Sequence, residues 1–299
     1  MSFRFISFRA FFPAACLLSV MHSTVFAQPA AQTTAPATTS APAPAKTEPD
    51  YPDPRSLTFS VYYLSPLSSS GPDIRGGSAA GTTYETLTGL GAYRGSVAAE
   101  IGVPITRTGV LYLDAERIRG TGNQTLTQGL FLNSAVNSYT YSKGDYVSST
   151  YRLTTGRLYL DDLLFPHKFP VARLRFKSIW AIRYIGVHTT ADAPFVDLVN
   201  GTVTSQSQVQ ADSRIFLPEF GLAMEYALAP HVLFRIDGAG FAIPHRSDIG
   251  ESSATIAVRQ KKLEIVGGIR MFHFKTSPQK EEYTSGTMVA GFGGLRWHW

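Results

Sequence analysis

The last fifteen residues of the chain read SGTMVAGFGGLRWHW, from Ser285 to Trp299. Successive side chains of a β-strand point to opposite faces, so Leu295, Trp297 and Trp299 share one face while Arg296 lies on the other. An apolar face of this kind at the edge of a soluble sheet invites aggregation. The pattern instead predicts a strand whose apolar face contacts lipid and whose other face lines a polar barrel interior.

This ending resembles the small outer-membrane β-barrel proteins of Gram-negative bacteria, a broad group that includes the OmpA-like barrels. The last strand of these proteins commonly ends in Phe or Trp, and the assembly machinery of the outer membrane recognises it. The resemblance implies that Leu295, Trp297 and Trp299 form a C-terminal assembly signal. It also implies a location in the cell outer membrane, with outer-membrane lipids and the assembly machinery as partners.

Residues 1–27 are typical of a secretory signal peptide. Arg4 and Arg9 supply a positive n-region, residues 10–21 are nearly all apolar, and small residues precede a cleavage site before Gln28. The alternative is an N-terminal membrane anchor, but this apolar stretch is shorter than the about 20 residues that a spanning helix needs. We therefore expect a secreted chain.

Residues 28–54 consist largely of Ala, Thr and Pro, which predicts an extended, disordered linker in the periplasm. Cys16 is the only cysteine, so cleavage of the signal peptide leaves a chain without disulfides or cysteine-based metal sites. Residues 55–299 contain no apolar run of spanning-helix length, and a membrane protein without such helices must span as a closed barrel. We predict an all-β fold, a closed antiparallel transmembrane barrel over residues 55–299.

Segments of alternating apolar and polar residues recur along this region and set the expected strand number. Bacterial single-chain barrels have even strand numbers, so ten strands fit, with eight or twelve as the alternatives. Long loops are expected outside the cell near residues 65–92, 120–145, 189–211 and 244–252. The ten predicted strands are Leu57 to Leu64, Tyr93 to Val103, Val110 to Arg119, Tyr146 to Leu160, Val171 to His188, Ile215 to Leu228, Val232 to Asp237, Ser253 to Val258, Leu263 to Met271 and Ser285 to Trp299.

A soluble β-sandwich or lipocalin-like barrel is the structural alternative, in which the apolar faces point inward. The charges at mid-strand and the aromatic residues near strand ends favour the membrane barrel, because such aromatics form interfacial girdles. The aromatic residues assigned to this girdle are Tyr93, Tyr112, Tyr151, Tyr184, Tyr226, Trp297 and Trp299.

The polar faces of the predicted strands place a set of charged side chains in the barrel lumen. A network of ion pairs is one interpretation, and a narrow anion-favouring pore is the other, because cations outnumber anions in this assignment. The predicted lumen cations are Arg173, Arg175, Lys177, Arg183, Arg235, Lys262, Arg270 and Arg296, and the predicted anions are Asp114, Glu116, Glu219, Glu225, Asp237 and Glu264.

One motif points to a different function. His245, Ser247 and Gly250 resemble the His-x-Ser-Asn-Ala-Gly pattern of outer-membrane lipid A deacylases, in which His and Ser act as base and nucleophile. The pattern departs at Asp248 and Ile249, and no acid stands where the Glu of that family should follow. The alternative function is therefore a lipid A esterase that uses His245 and Ser247.

Omptin-type proteases are also ten-stranded barrels and use acidic pairs with an Asp–His pair at the outer rim. The predicted loops hold His188, Asp192, Asp197 and Asp212, which we interpret as solvated loop charges because no spacing connects them. The remaining histidines, such as His273 and His298, are isolated, so no metal site or cofactor is predicted, and nothing indicates nucleic-acid binding. The favoured function is a non-enzymatic outer-membrane barrel with a structural or surface-interaction role.

Overall fold

Ten antiparallel strands close on themselves into a barrel in the computed structural model of the chain. The structure describes residues 56–68, 71–75, 86–87, 90–127, 129–133, 138–165, 173–196, 203–243, 247–276 and 283–299. The signal peptide and linker predicted for residues 1–54 lie outside the described residues. No described segment is a helix long and apolar enough to cross a membrane.

The described residues form fourteen strands, which we number in chain order. They are β1 (Thr58–Pro66), β2 (Asp73–Arg75), β3 (Thr86–Leu87), β4 (Ser96–Pro104), β5 (Gly109–Thr125), β6 (Leu130–Asn133), β7 (Ser138–Tyr141), β8 (Tyr146–Leu163), β9 (Leu174–Val196), β10 (Val203–Ala229), β11 (Val232–Ile243), β12 (Ser247–Gln260), β13 (Leu263–Lys275) and β14 (Tyr283–His298).

The barrel wall runs β1-β4-β5-β8-β9-β10-β11-β12-β13-β14, and β14 pairs back onto β1. At this seam Phe59 lies opposite Trp297, and Pro66 lies opposite Ala290. The prediction of a closed all-β barrel with ten strands is therefore confirmed. We call the end with the short β4–β5, β10–β11 and β12–β13 connections the turn end, and the opposite end the loop end.

The outer face of the wall is apolar at mid-height. Trp180 on β9 is 57 % exposed, Phe216 on β10 is 70 % exposed and Ile265 on β13 is 60 % exposed. Large apolar side chains left in water at this scale mark a surface that needs an apolar environment. The soluble alternative, with its apolar faces only inside, is therefore wrong. We call this outward surface the apolar belt.

Several predicted loops are in fact strand. Residues 189–196 and 203–211 continue β9 and β10, residues 120–125 continue β5, and residues 247–252 belong to β12. A barrel strand needs only about 9–11 residues to cross a bilayer, whereas β9 has 23 residues and β10 has 27. The loops were predicted there because polar residues replace the apolar ones, but this change marks the end of the belt and not the end of the strand.

The segment between β1 and β4 extends the wall at the loop end. β2 pairs with the start of β14, where Arg75 lies opposite Tyr283, and β3 pairs with β2. Tyr93 and Tyr151 are buried here with their rings edge to face at 5.7 Å, and Tyr112 stacks on Tyr159 inside the wall. The assignment of Tyr93, Tyr112 and Tyr151 to an outer aromatic girdle is therefore wrong.

Candidate functional site

The interior near the turn end is organised around Arg296 on β14. Its guanidinium donates to Glu264 Oε1 at 2.8 Å, to the Tyr62 hydroxyl at 2.8 Å and to Glu100 Oε1 at 3.2 Å. The Tyr159 hydroxyl donates to the second oxygen of Glu100 at 2.7 Å. One arginine therefore joins β1, β4 and β13 from inside.

A second cluster lies beside it on β8 to β11. Lys177 Nζ is 3.2 Å from Asp161 Oδ2 and 2.8 Å from Glu225 Oε1. Arg235 contacts the same two carboxylates, at 2.7 Å and 2.9 Å. Two cations and two anions thus alternate in a closed square, which is the arrangement that compensates the cost of burying charge.

A third charged cluster, on β8, β9, β10, β12 and β13, lies nearer the loop end than the first two. Arg183 is fully buried and pairs with Glu219 at 2.7 Å and with Glu251. Arg157 approaches Glu219 to 2.9 Å, and Arg270 approaches Glu251 to 2.9 Å. Because β8 and β12 are four strands apart in the wall, the contact of Arg157 with Glu251 at 3.7 Å crosses the lumen.

The balance of charge inside the wall differs from the sequence-based expectation. Among the described interior ion pairs, six basic side chains meet eight carboxylates, so the expected excess of cations is wrong. The predicted Arg173 and Lys262 are exposed in turns at the turn end, and Arg175 is half-buried at the start of β9.

The other predicted lumen charges lie on the inner face of the wall. Asp114 is half-buried on β5, and Asp237 on β11 accepts a hydrogen bond from Ser253 at 2.6 Å. The remaining ones belong to the three clusters; Glu116, for example, lies 3.2 Å from Arg270.

Sequence reasoning missed several charged residues of this interior. Arg157 and Asp161 lie on β8, whose facing was ambiguous in the sequence, and Glu251 lies in a segment that was predicted to be a loop. Glu100 was placed on the polar face of β4 but was not counted among the lumen charges. The apolar partners Leu158 and Leu160, both on the outer side of β8, were the available signal for the facing of Arg157 and Asp161.

The inner face changes from charged to apolar one step beyond these clusters. On β5, β9 and β13 the next inward residues are Ile118, Ile185 and Phe272, each at most 1 % exposed. The Phe272 ring lies 4.9 Å from the Arg183 guanidinium carbon, and its strand is four strands away from that of Arg183 in the wall. We call this buried set the apolar plug; it comprises Leu64, Ile74, Leu90, Tyr93, Ala98, Ile118, Leu126, Tyr141, Val147, Tyr151, Leu153, Ile185, Val187, Ala191, Leu217, Ile249, Phe272, Phe274, Met288 and Ala290.

A cavity of about 160 Å³ lies among the charged clusters. Glu100, Asp114, Arg235, Arg270 and Arg296 are among its lining residues, so about half of its wall is polar and the rest is apolar. A polar cavity of this size holds several water molecules. The cavity is therefore suited to hydrating the ion pairs rather than to holding an apolar ligand.

Burial shifts the pKa of two groups at the loop end, Asp73 and Tyr93. Burial raises the pKa of the Asp73 carboxyl on β2. Burial, and the nearby Asp73 carboxylate, also raise the pKa of Tyr93 above its ordinary value. Both shifts favour the neutral forms, which suits side chains that border the apolar plug.

Two histidines on the outer face form acid pairs above the apolar belt. His188 Nδ1 lies 2.7 Å from Asp212 Oδ1 across β9 and β10. His273 Nε2 lies 3.0 Å from Asp248 Oδ1, and its Nδ1 lies 2.7 Å from the Thr287 hydroxyl. The interpretation of His188 and Asp212 as unconnected loop charges is wrong, because extension of both strands makes them direct cross-strand neighbours.

A carboxylate, an imidazole and a hydroxyl also lie in a row inside the barrel, at His298. His298 Nε2 is 3.0 Å from Glu264 Oε2, and its Nδ1 is 3.0 Å from the Ser56 hydroxyl. Acid, imidazole and hydroxyl are the parts of a nucleophilic triad, but such a site also needs donors for an oxyanion. The backbone amides around His298 and His273 lie in β-ladders and are committed to strand pairing.

Among the described residues of the two enzyme alternatives, only His188 and Asp212 contact each other, and they do so on the outer face of the wall. Ser247 is buried on the inner side at the start of β12, and the expectation that it lies in an exposed loop is wrong. His245 and Asp197 lie outside the described residues. Asp192 is half-buried on β9, and no three His, Cys, Asp or Glu side chains of the described segments converge into a metal-sized group.

Known structures share this architecture. The chain is similar to the outer membrane protease OmpT from Escherichia coli, with a TM-score of 0.50, 10 % identity, and 82 % of this chain and 97 % of that chain covered. The chain has the outer-membrane β-barrel fold. The attachment invasion locus protein Ail of Yersinia pestis (TM-score 0.28, 5 % identity, 80 % and 97 % covered) and the transport unit of the autotransporter AIDA-I from Escherichia coli (0.37, 8 %, 82 % and 91 %) are further matches. No family model and no curated protein sequence matches the chain.

Proposed function

We propose that the chain is an integral protein of the Gram-negative outer membrane that has a structural or surface-interaction role and does not conduct ions. The observation that carries this proposal is the paired charge inside the barrel followed by the apolar plug at the loop end. The apolar belt outside supports the membrane location, because outer-membrane barrels carry such a band about 25 Å tall.

The same interior argues against the narrow anion-favouring pore. A pore for anions needs unpaired cations along a wet path, whereas Arg183 and Lys177 each contact two carboxylates. Carboxylates outnumber cations among the described pairs, so passing anions would be repelled. The plug residues Ile118, Ile185 and Phe272 then offer no polar contact to an ion that leaves the clusters.

Conductance across planar bilayers tests this proposal. We expect no unit steps in current at high salt from protein whose folded state is shown by heat-modifiable gel mobility. Anion-selective steps that lose their reversal-potential shift in Lys177→Gln would contradict the proposal.

The proposed location is the outer membrane, and the proposed partners are its lipids and its assembly machinery. Both proposals rest on the predicted signal peptide over residues 1–27, the linker over residues 28–54 and the C-terminal aromatic residues. The proposed orientation puts the turn end and the linker in the periplasm and the loop end outside the cell. Cell fractionation tests it: wild type should be found in the outer membrane, and Trp297→Ala with Trp299→Ala should accumulate unassembled. The control is Trp180→Ala, which removes from the wall one ring about as exposed as that of Trp299.

A second candidate function is ester hydrolysis of outer-leaflet lipid. The line Asp248–His273–Thr287 on the outer face supports it, because the Thr287 hydroxyl is exposed and lies 2.7 Å from the imidazole, whereas Ser247 is buried on the inner side. The oxyanion would have to be stabilised by a side chain, since the neighbouring backbone amides are paired. Lipid A mass spectra from cells that express wild type or Thr287→Ala test this candidate. Identical acylation in the two spectra would exclude it.

A further inference from the structure

Exposed arginines gather on one sector of the outer face, between β4 and β10, immediately beyond the apolar belt. Each side chain points outward, and none forms an ion pair with a described carboxylate. We call this set the basic rim; it consists of Arg94, Arg117, Arg119, Arg152 and Arg214.

Strand register fixes the height of the basic rim. Arg117 follows Ala115 and Leu113 on the outer face of β5, and Arg214 precedes Phe216 on β10, so each is two residues beyond the belt. Two residues of a strand rise by about 7 Å, and an arginine side chain spans a similar distance. The guanidinium groups of Arg117 and Arg214 therefore lie at the level of lipid headgroups, and Arg119 and Arg152 lie in the next row, two residues further from the belt.

The members of the rim are neighbours across strands. Arg119 lies directly opposite Arg152, and Arg152 lies directly opposite His188. Arg94 joins them, because its backbone amide donates to the Arg119 carbonyl at 2.9 Å.

The opposed arginines of the basic rim lower the stability of the sheet when no anion is bound to them. Like charges directly opposite each other on neighbouring strands destabilise a sheet. The carboxylate in the same cross-strand row, that of Asp212, is 2.7 Å from His188 Nδ1 and so already has a partner. Arginines that have no carboxylate partner among the described residues are therefore available to an anion from outside the chain.

Hydroxyl groups continue the surface beyond the arginines. The Thr121 hydroxyl accepts a hydrogen bond from Arg94 at 2.9 Å, and Thr150 and Thr190 bond to each other across β8 and β9. Hydroxyls at this position suit the sugar groups of a glycolipid, while planar guanidinium forks suit phosphate.

We infer that the basic rim binds the phosphate groups of an anionic glycolipid of the outer leaflet, with Arg119 and Arg152 as the central contacts. This inference rests on the proposed outer-membrane location, with the loop end outside. It specifies which part of the surface interacts and with which chemistry.

The test measures lipid binding by the folded full-length barrel in detergent micelles, without a membrane or a conductance readout. The probes are lipid A with both phosphates, lipid A with its phosphates removed, and inorganic phosphate. We expect wild type to bind the phosphorylated lipid. The Arg119→Gln/Arg152→Gln variant should have a Kd for this lipid that is higher by a factor of about ten or more. The dephosphorylated lipid and inorganic phosphate should bind both proteins weakly.

The matched control is Arg107→Gln/Lys262→Gln, which removes the same charge from exposed turns at the turn end. Equal affinity of wild type and the rim variant, an equal loss in the turn-end control, or equal binding of dephosphorylated lipid would overturn the inference. Inorganic phosphate bound as tightly as the lipid would also overturn it.

Denaturant unfolding gives a second readout that does not depend on the binding assay. Without lipid, the rim variant should be at least as stable as wild type, because the repulsion between two opposed cations is removed. Added phosphorylated lipid should raise the stability of wild type and not that of the variant. An equal rise in both proteins would contradict the inference, while channel activity would contradict only the proposed function.

Discussion

Arg183 is the residue on which the interior depends most directly. It is fully buried, it contacts carboxylates from β10 and β12, and its guanidinium faces the Phe272 ring. A buried ion pair is weak evidence for stability in itself, because desolvation offsets the attraction. Removal of one partner is different, since it leaves the other charge buried without compensation.

We therefore predict that Arg183→Met lowers the free energy of unfolding by about 3–5 kcal/mol. Two carboxylates, Glu219 and Glu251, lose a partner in this variant. Equilibrium urea unfolding in detergent micelles measures the change.

The control is Arg152→Met, which removes an exposed cation from the neighbouring strand and should change stability by less than about 0.5 kcal/mol. Adding Glu219→Gln to Arg183→Met should restore part of the loss, since it reduces the excess of negative charge left in a cluster where Glu219 still contacts Arg157. Equal effects of the two single substitutions would contradict the assignment of a buried network.

The seam between β14 and β1 is the element that closes the barrel. Gly294 lies opposite Tyr62 in this seam, and the two backbones approach closely. A Cβ at Gly294 would lie 2.2 Å from the Val61 carbonyl oxygen, whereas a Cβ at Gly293 would meet nothing within 4 Å. Adjacent glycines of one strand therefore have different roles, and only Gly294 is required by the packing.

We predict that Gly294→Ala destabilises the barrel by about 1–3 kcal/mol, because the added methyl group forces the seam apart. Gly293→Ala is the matched control and should leave stability unchanged. The heat-modifiable gel mobility of the refolded protein, followed against temperature, reports the difference. A lower melting temperature for Gly293→Ala than for Gly294→Ala would refute the seam geometry.

For individual strands, the two-residue alternation of apolar and polar residues predicts the outward face but not the ends of the strand. The alternation in residues 174–188 predicted the outward face of β9, and Trp180 and Ile182 are indeed exposed. The ends of β9 and β10 were missed because Thr, Asp, Ser and Gln residues interrupt the apolar alternation over residues 189–211. Outside the belt a strand can be polar on both sides, so the period-two signal disappears while the hydrogen-bonded ladder continues.

The described barrel, within residues 56–299, has a filled interior made of two parts. The half near the turn end holds paired charges around a small polar cavity, and the half near the loop end holds the apolar plug. Side chains that cross the lumen, such as Arg157 towards Glu251, join opposite sides of the wall. A ten-stranded barrel is narrow enough for this, because long side chains largely fill it.

We predict that Phe272→Ala with Phe274→Ala opens a leak through the plug. Both rings are about 1 % exposed and stack at 5.8 Å, and their loss leaves a void next to the charged clusters. The stability cost is about 3–5 kcal/mol for each ring. Ion flux from loaded vesicles measures the leak.

Phe216→Ala with Phe220→Ala removes the same two ring types from the outer face and serves as the control. Vesicles that contain this control variant should show no ion flux above that of wild type. A leak of equal size in both double variants would show that loss of stability, and not the plug, controls permeability.

The amino-acid sequence alone predicted a closed barrel of about ten strands, with eight or twelve left open, and the outward face of most strands, because two-residue alternation is a local property that follows from strand geometry. It also identified Arg183, Glu219 and Arg296 as inward-facing candidates. Only the tertiary structure decided which charges meet across the lumen, where the inner face changes from charged to apolar, and that Arg119 lies opposite Arg152. Those features depend on the register between strands that are distant in the chain, and register is set by closure of the whole barrel.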